Sequence, residues 1–408
     1  MRSATKWKTG ADMKIVTAQS RAKEASRAIE ELVLALRLDA GRKPDFLAVH
    51  FGVGMPAESL QSAMAAQFDS TALHGGSSCL GIMTQESVNI ESGAGLGALA
   101  IWDAAGNYGT GSADLGTNAG DAARRATQIA LAAAGRPGEI PDLVWLTVAP
   151  GREEQVLDGI RAVIGTETPI VGGSAADNDV SGKWAQFGPS QSHSEGVVVS
   201  VLFPSTSVAS AYQSGYAPTG DNGVVTRVDG RRLLEIDGQP AATVYHGWTG
   251  GAVPVADDTP QSILAAATLW PLGRVTREIA GVPFHLLAHP AVANPDGSID
   301  LFADITKGDR LWQMRGSADS LTSRAGRVAR QACDDSAGDI AGALVVYCGG
   351  CMLAVQDRMD EVQQGINAAL GDVPWLGVFT FGEQGVPAGA MAKHGNLMIS
   401  CTVFEREP

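Results

Sequence analysis

The chain has 408 residues, 45% of them hydrophobic and 18% charged, with a formal net charge of -14. That length exceeds one ordinary core and sets two domains as the expectation. The acidic balance argues against nucleic acid and anionic membranes as main partners, since both call for a basic face. No apolar run reaches the length of a membrane span. An odd count of five cysteines does not suggest a secreted disulfide framework and points to a reducing cytoplasm.

In chain order, residues 1–12 are polar and basic without an apolar stretch, so no signal peptide is expected, and the natural start is left open between Met1 and Met13. A helix is expected over 20–38, with Ala28, Leu32 and Leu36 on one side and Gly41 to end it. The run 46–51 is short and apolar, as a buried strand is. Pro56 suits a first helical position, and Leu60, Met64 and Phe68 follow at spacings of four. A second strand then runs into His74, Gly75, Gly76, Ser77, Ser78 and Cys79. Strand, helix and strand at this length make a βαβ crossover with parallel neighbouring strands.

The segments 97–102 and 108–113 flank Asp103 to Asn107 and read as a hairpin, which makes the sheet mixed. A helix over about 120–134 ends at the break Gly135-Arg136-Pro137-Gly138. The crossover then returns. Gly172 stands 97 residues after Gly75, and the same interval carries Asp45 onto Asp142 and Thr71 onto Thr168 without a gap. The second copy has a strand at 143–148, a helical stripe of Val156, Leu157, Ile160 and Ile164, and a turn at Gly172, Gly173, Ser174 and Asp177. The strand 195–203 answers to 96–102. The Ser-, Thr-, Gly- and Pro-rich run 204–223 marks a boundary between domains 14–215 and 216–408, the first holding repeats 45–115 and 142–203.

Alternation around Asp229-Gly230 and Asp237-Gly238 gives a β-hairpin pattern, followed by a short helix with Val244, Tyr245 and His246. The stretch 271–315 is strand-like, and a helix over about 317–332 precedes a looser third copy at 343–383. That copy has Val362, Ile366 and Leu370 on its helix, ends in Thr380, Phe381, Gly382 and Glu383, and leads to a closing strand at 396–404. The expected fold class is α/β of a mixed α+β kind: repeated βαβ units with added antiparallel strands, forming mixed sheets in two domains. Ligands of such sheets sit at the carboxyl ends of strands, so the three glycine turns are the leading pocket candidate.

Several of these segments together carry a family resemblance. Gly76-Ser77-Ser78-Cys79-Leu80-Gly81, Val171 to Asp177, Asp237-Gly238-Gln239-Pro240-Ala241, Gly377 to Glu383, and His394-Gly395-Asn396 stand in an order and spacing that resemble the FIST sensory family of bacterial proteins. The resemblance covers 18–404 and implies a ligand-sensing module with an N-terminal and a C-terminal FIST domain rather than an enzyme. It further implies a small-molecule ligand, with amino acids suggested, and output through a separate protein such as a histidine kinase or a cyclic-di-nucleotide enzyme. One branch of the family holds haem and senses nitric oxide. The chain departs from the common pattern at Cys348-Gly349-Gly350-Cys351, where relatives carry one cysteine followed by arginine.

The residues themselves give these site expectations. The N–H groups of Gly75, Gly76 and Ser77, with the Ser77 and Ser78 hydroxyls, suit a carboxylate or other anion, and equally suit plain tight turns. Gly172, Gly173, Ser174 and Thr380 occupy matching places. Asp177 and Glu383 are placed to meet an amino group or simply to cap turns. Cys348 and Cys351, at the same sheet end as Cys79, are a redox pair, half a metal site, or buried apolar filling. His74, His246, His289 and His394 are the histidines considered for metal or haem, each weighed against a structural role. Three functions therefore remain: a sensor with its ligand in a cleft between the two FIST domains, a haem-based nitric-oxide sensor, and a thiol- or metal-dependent enzyme using Cys79, Cys348 and Cys351.

Overall fold

The computed structural model describes residues 13–36, 42–91, 93–279, 281–387 and 389–406. The fold is mixed α/β, as the pattern predicts. Each of the three crossovers is present: Phe46–Phe51 runs parallel to Ala72–Ser77, Leu143–Val148 to Ile170–Ser174, and Ile340–Cys348 to Trp375–Thr380. The connecting helices Ala57–Gln67, Glu153–Ile164 and Met359–Leu370 bury the expected stripes, with Leu60 and Met64, Val156 and Ile160, and Val362 and Ile366 all fully enclosed. Each copy also has an earlier helix: Ala25–Ala35, Ala119–Ala133 and Ala318–Asp334. Local chemistry fixes where two of these start. Asn118 accepts from the Asp121 N–H, and Ser317 and Ser320 form a reciprocal cap. The stop expected at Gly41 lies outside the described residues.

Each crossover sits in a six-stranded sheet. The helices lie outside, and the inner faces share one core with Phe46, Leu99, Trp145, Leu202, Leu344 and Phe404. The hairpin expected at 97–113 does not form. Leu96–Trp102 pairs with Phe46–Phe51 in the first sheet, whereas Asn107–Asp114 crosses to pair with Gly196–Phe203 in the second. Leu96–Trp102 is wholly buried between two partners, and Asn107–Asp114 takes the edge of the second sheet, so the tight loop joins two sheets instead of two neighbours.

Every glycine strand is extended at its edge by a short hairpin from another copy. Gln186–Phe187 adds to Ala72–Ser77, Glu383–Gly385 to Ile170–Ser174, and Ile82–Thr84 to Trp375–Thr380. The exchange is circular: the second copy serves the first, the third serves the second, and the first serves the third. The third copy is interrupted. Its outer strand Val208–Ser214 pairs along Met398–Glu405, and a nine-stranded sheet between Ala217 and Arg315 separates that strand from its helix. This inserted sheet has its own core around Leu233, Tyr245, Ile263, Leu272 and Leu311. No helix among the described residues is long and apolar enough to cross a membrane.

Candidate functional site

The three glycine turns do meet. Cys79 N–H donates to Phe379 O at 2.9 Å, Ser174 N–H to Gly382 O at 2.7 Å, and Ala176 N–H to Ser77 O at 3.1 Å, which closes a triangle of main-chain bonds. The same closure leaves no anion nest there. Ser77 N–H is taken by Ala185 O and Ser78 N–H by Phe51 O, while Gly75, Gly76, Gly172 and Gly173 are buried. Their lack of side chains serves packing. A Cβ at 75 would sit 2.3 Å from the Phe187 ring, one at 76 lies 2.6 Å from Thr147 Cγ2, and one at 173 lies 2.2 Å from Thr380 Cγ2. At 172 it would meet Leu146 O at 1.9 Å. Ser78 Oγ receives the Phe379 N–H at 2.8 Å, and Ser174 Oγ donates to Glu153 Oε1 at 2.8 Å.

The acids at the turns are equally engaged. Asp177 accepts from Val180 N–H at 2.6 Å and Lys183 N–H at 2.8 Å, holding the loop that follows the second turn. Glu383 accepts from Thr380 Oγ1 at 2.8 Å and Met398 N–H at 2.9 Å. Burial, with Cys348 beside it, holds the Glu383 carboxyl well above the usual carboxylate range.

The open space lies one residue beyond that ring. A cavity of ≈ 510 Å³ is walled by Asn178 and Val180 after the second turn, by Phe381 after the third, and by Cys348 and Gly350 at the end of the strand Ile340–Cys348. Its remaining wall is the inserted sheet's contribution, chiefly Leu264, Leu269, His289 and Phe302. That volume is in the range of small-molecule sites, and its place between separately built parts of the chain is where such sites occur.

Of the residues considered for metal or haem, His289 and Cys348 reach this cavity. His74 is fully buried between Ser200 Oγ and Thr147 Oγ1, each at 2.8 Å, so both ring nitrogens are used. His394 is similarly held by Gln384 Nε2 at 3.1 Å and Phe302 O at 3.2 Å. His246 binds Val253 O at 2.7 Å inside the inserted domain. Cys351 lies behind Cys348 with its Sγ 3.6 Å from the Tyr216 hydroxyl. All five cysteines are free. Burial pushes the Cys79 thiol up to about 12, with Cys348, Asp177 and Asp179 adding to it, and raises Cys348 well above its ordinary value. Both shifts favour the thiol over the thiolate at Cys79 and Cys348.

Haem fits this cavity poorly. His289 offers an axial nitrogen, but no lysine or arginine is among the described lining residues to meet the two propionates. The one described cluster with metal-ligand spacing is Glu153, Glu154 and His394. It already holds a cation of its own: Arg231 Nη2 lies 2.6 Å from Glu153 Oε2 and 2.6 Å from Glu154 Oε2. Burial opposes ionisation of Glu153, yet His394 and Arg231 overcome it and hold the carboxyl at about 2. The sequence reading passed over Glu153, Arg231, Leu264 and Phe302. Glu153 sits in a first helical turn, where acids are ordinary, and Leu264 stands in a run of alanines without a motif.

A family model described as the FIST N domain matches residues 45–239, and one described as the FIST C domain matches 241–386. Two solved cyanuric acid hydrolase structures, one from A. caulinodans, are each 10% identical over 96% of this chain, covering 99% and 100% of theirs at a TM-score of 0.35. PurLQS from Thermotoga maritima is 10% identical over 97% of this chain and 72% of its own, at 0.23. Likenesses that slight pass no activity to this chain. No curated protein sequence matches it.

Proposed function

The chain belongs to the FIST family, and on that premise we propose that the cavity beside Cys348 and His289 binds a small molecule and passes its occupancy to a separate output protein. FIST domains are associated with signal-transduction sensing and a general ligand-binding role. The observation that carries the reading is the composition of the wall. It draws on the loop after the second turn, on the third copy and on the inserted sheet, so one guest would touch three separately built parts of the chain. A ligand that binds one relative placement of these parts better than another shifts their equilibrium. The buried group of Arg231, Glu153 and Glu154 is a second junction between the inserted sheet and the second copy, and would feel that shift. Free thiols throughout fit a cytoplasmic sensor.

The test is thermal unfolding of the full chain across a panel of neutral, anionic and zwitterionic small molecules, beside Ala265→Trp, which fills the cavity mouth from an exposed position. Binding raises the midpoint, by an amount that grows with the logarithm of ligand concentration above the dissociation constant, and the tryptophan removes the effect. A folded protein that no compound stabilises, or one stabilised equally in both forms, ends the reading.

A further inference from the structure

The wall of the cavity is selective. It is largely apolar, with Leu264, Leu269, Phe302, Leu353 and Phe381, and its one charged described liner is Asp179. Among these groups His289 has a defined hydrogen-bonding sense. It is 3% exposed, and its Nε2 lies 3.0 Å from Leu264 O. A carbonyl oxygen only accepts, so Nε2 carries the ring proton and Nδ1 keeps its lone pair. Nothing among the described residues donates to Nδ1. The ring is held in place by the bond to Leu264 O and by its edge-on packing against Phe302, with centroids 6.1 Å apart, while the residue's main-chain N–H donates to Asn396 Oδ1 at 3.1 Å.

Gly350 keeps the space beside the imidazole clear. A Cβ at 350 would stand 3.6 Å from His289 Cε1 and 3.6 Å from Cys348 Sγ, between imidazole and thiol. An anion has no counter-charge here: the lone pair of His289 and the carboxylate of Asp179 both oppose it, and no lysine or arginine is among the described liners.

We propose that the cavity takes an uncharged, ring-sized apolar molecule bearing one N–H or O–H donor, which lies over Gly350 and donates to His289 Nδ1. This rests on the cavity being the ligand site. Molecules of the same shape without the donor leave a buried acceptor unpaired and bind more weakly. Carboxylates, phosphates and zwitterionic amino acids are refused. Burial holds His289 at about 4, so the acceptor persists at neutral pH.

Calorimetric titration of the full chain with indole, 1-methylindole, indole-3-carboxylate and a set of free amino acids tests this. Indole is expected to bind saturably, 1-methylindole about tenfold or more weakly for the lost hydrogen bond, and the carboxylate not at all over the same range. Gly350→Ala, whose methyl contacts are ordinary apart from 3.3 Å to a Leu397 methyl, is expected to weaken indole about tenfold by filling its place. His289→Leu is expected to abolish the distinction between indole and its N-methyl form. Equal affinity of those two for the wild-type chain, or carboxylate binding as tight as indole, overturns the proposal whether or not the variants fold. Amino-acid binding that Gly350→Ala removes, with the indoles inert, overturns this ligand class and leaves the cavity as a binding site. Silence from every probe overturns both.

Discussion

Arg231 Nη2 stands 2.6 Å from Oε2 of Glu153, and the two residues belong to different parts of the molecule, the inserted sheet and the second crossover helix. Both side chains are largely withdrawn from water, at 18% and 2% exposure, so each depends on the other for its charge. Arg231→Met is expected to lower unfolding stability by about 3–5 kcal/mol, the usual loss when one partner of a buried pair goes. Adding Glu153→Gln to that variant should recover part of the loss by removing the stranded charge. Denaturant melts of the two variants check it; a double variant no more stable than the single one refutes the pairing argument.

Gly76 and Thr147 make a second testable pair. A Cβ at 76 would approach Thr147 Cγ2 to 2.6 Å and His50 Cε1 to 3.4 Å. Gly76→Ala is expected to cost about 1–3 kcal/mol through overpacking. Thr147→Ser deletes the obstructing methyl and keeps the hydroxyl that holds His74 at 2.8 Å, so the double variant should regain most of the midpoint. If it melts with the single variant, the glycine is there for some other reason.

Burial depresses His50 and His289 to about 4 from an ordinary 6.5. Between those values the unfolded chain takes up protons that the folded chain refuses. Their contribution is therefore full above pH 6.5 and is lost as pH falls towards 4, by at most about 3 kcal/mol each. Glu383 works in the opposite direction, because its raised folded-state value favours the fold as pH falls towards 4.5. The histidine share is read as a difference: melts of His289→Gln from pH 7 to 4.5 should fall less steeply than those of the wild type. Identical slopes would show that the ring is not buried neutral.

Thiol accessibility follows the same logic. Cys79, Cys348, Cys351 and Cys401 are buried, whereas Cys333 is partly exposed. A chromogenic disulfide reagent should react first at Cys333 in the native protein and reach the other four only as it unfolds. Rapid labelling of Cys348 without unfolding would contradict its burial and the raised thiol pKa that follows from it.

The repeat was the most legible feature of the chain. Thr71 Oγ1 donates to Pro44 O at 2.8 Å and Thr168 Oγ1 to Pro141 O at 3.1 Å, the same bond 97 residues later. Helices with strong stripes, such as that of Val156 and Ile160, were legible for the same reason. The exchanged hairpins were not. Ile82–Thr84 and Gln186–Phe187 are too short to show a period, and their partners are far away in sequence. Val208–Ser214 was hidden in a Ser- and Thr-rich run because its partner, Met398–Glu405, comes after a whole inserted sheet. For the site, the sequence brought the glycine turns together correctly but could not tell a filled junction from an open one. Whether a main-chain N–H is vacant depends on residues such as Ala185, Phe379 and Gly382, which arrive from other copies.

The circular exchange also orders events during synthesis. When the ribosome has completed residues 82–89, the strand that this hairpin must join, Trp375–Thr380, does not yet exist. The first sheet likewise keeps a bare margin until Gln186–Phe187 emerges. A nascent chain thus carries unpaired strand margins through most of its translation, the condition under which chains stick to one another. A gene cut between the two FIST segments would make that condition permanent in both fragments, so co-expression of the halves, rather than either half alone, is the route to a soluble split protein.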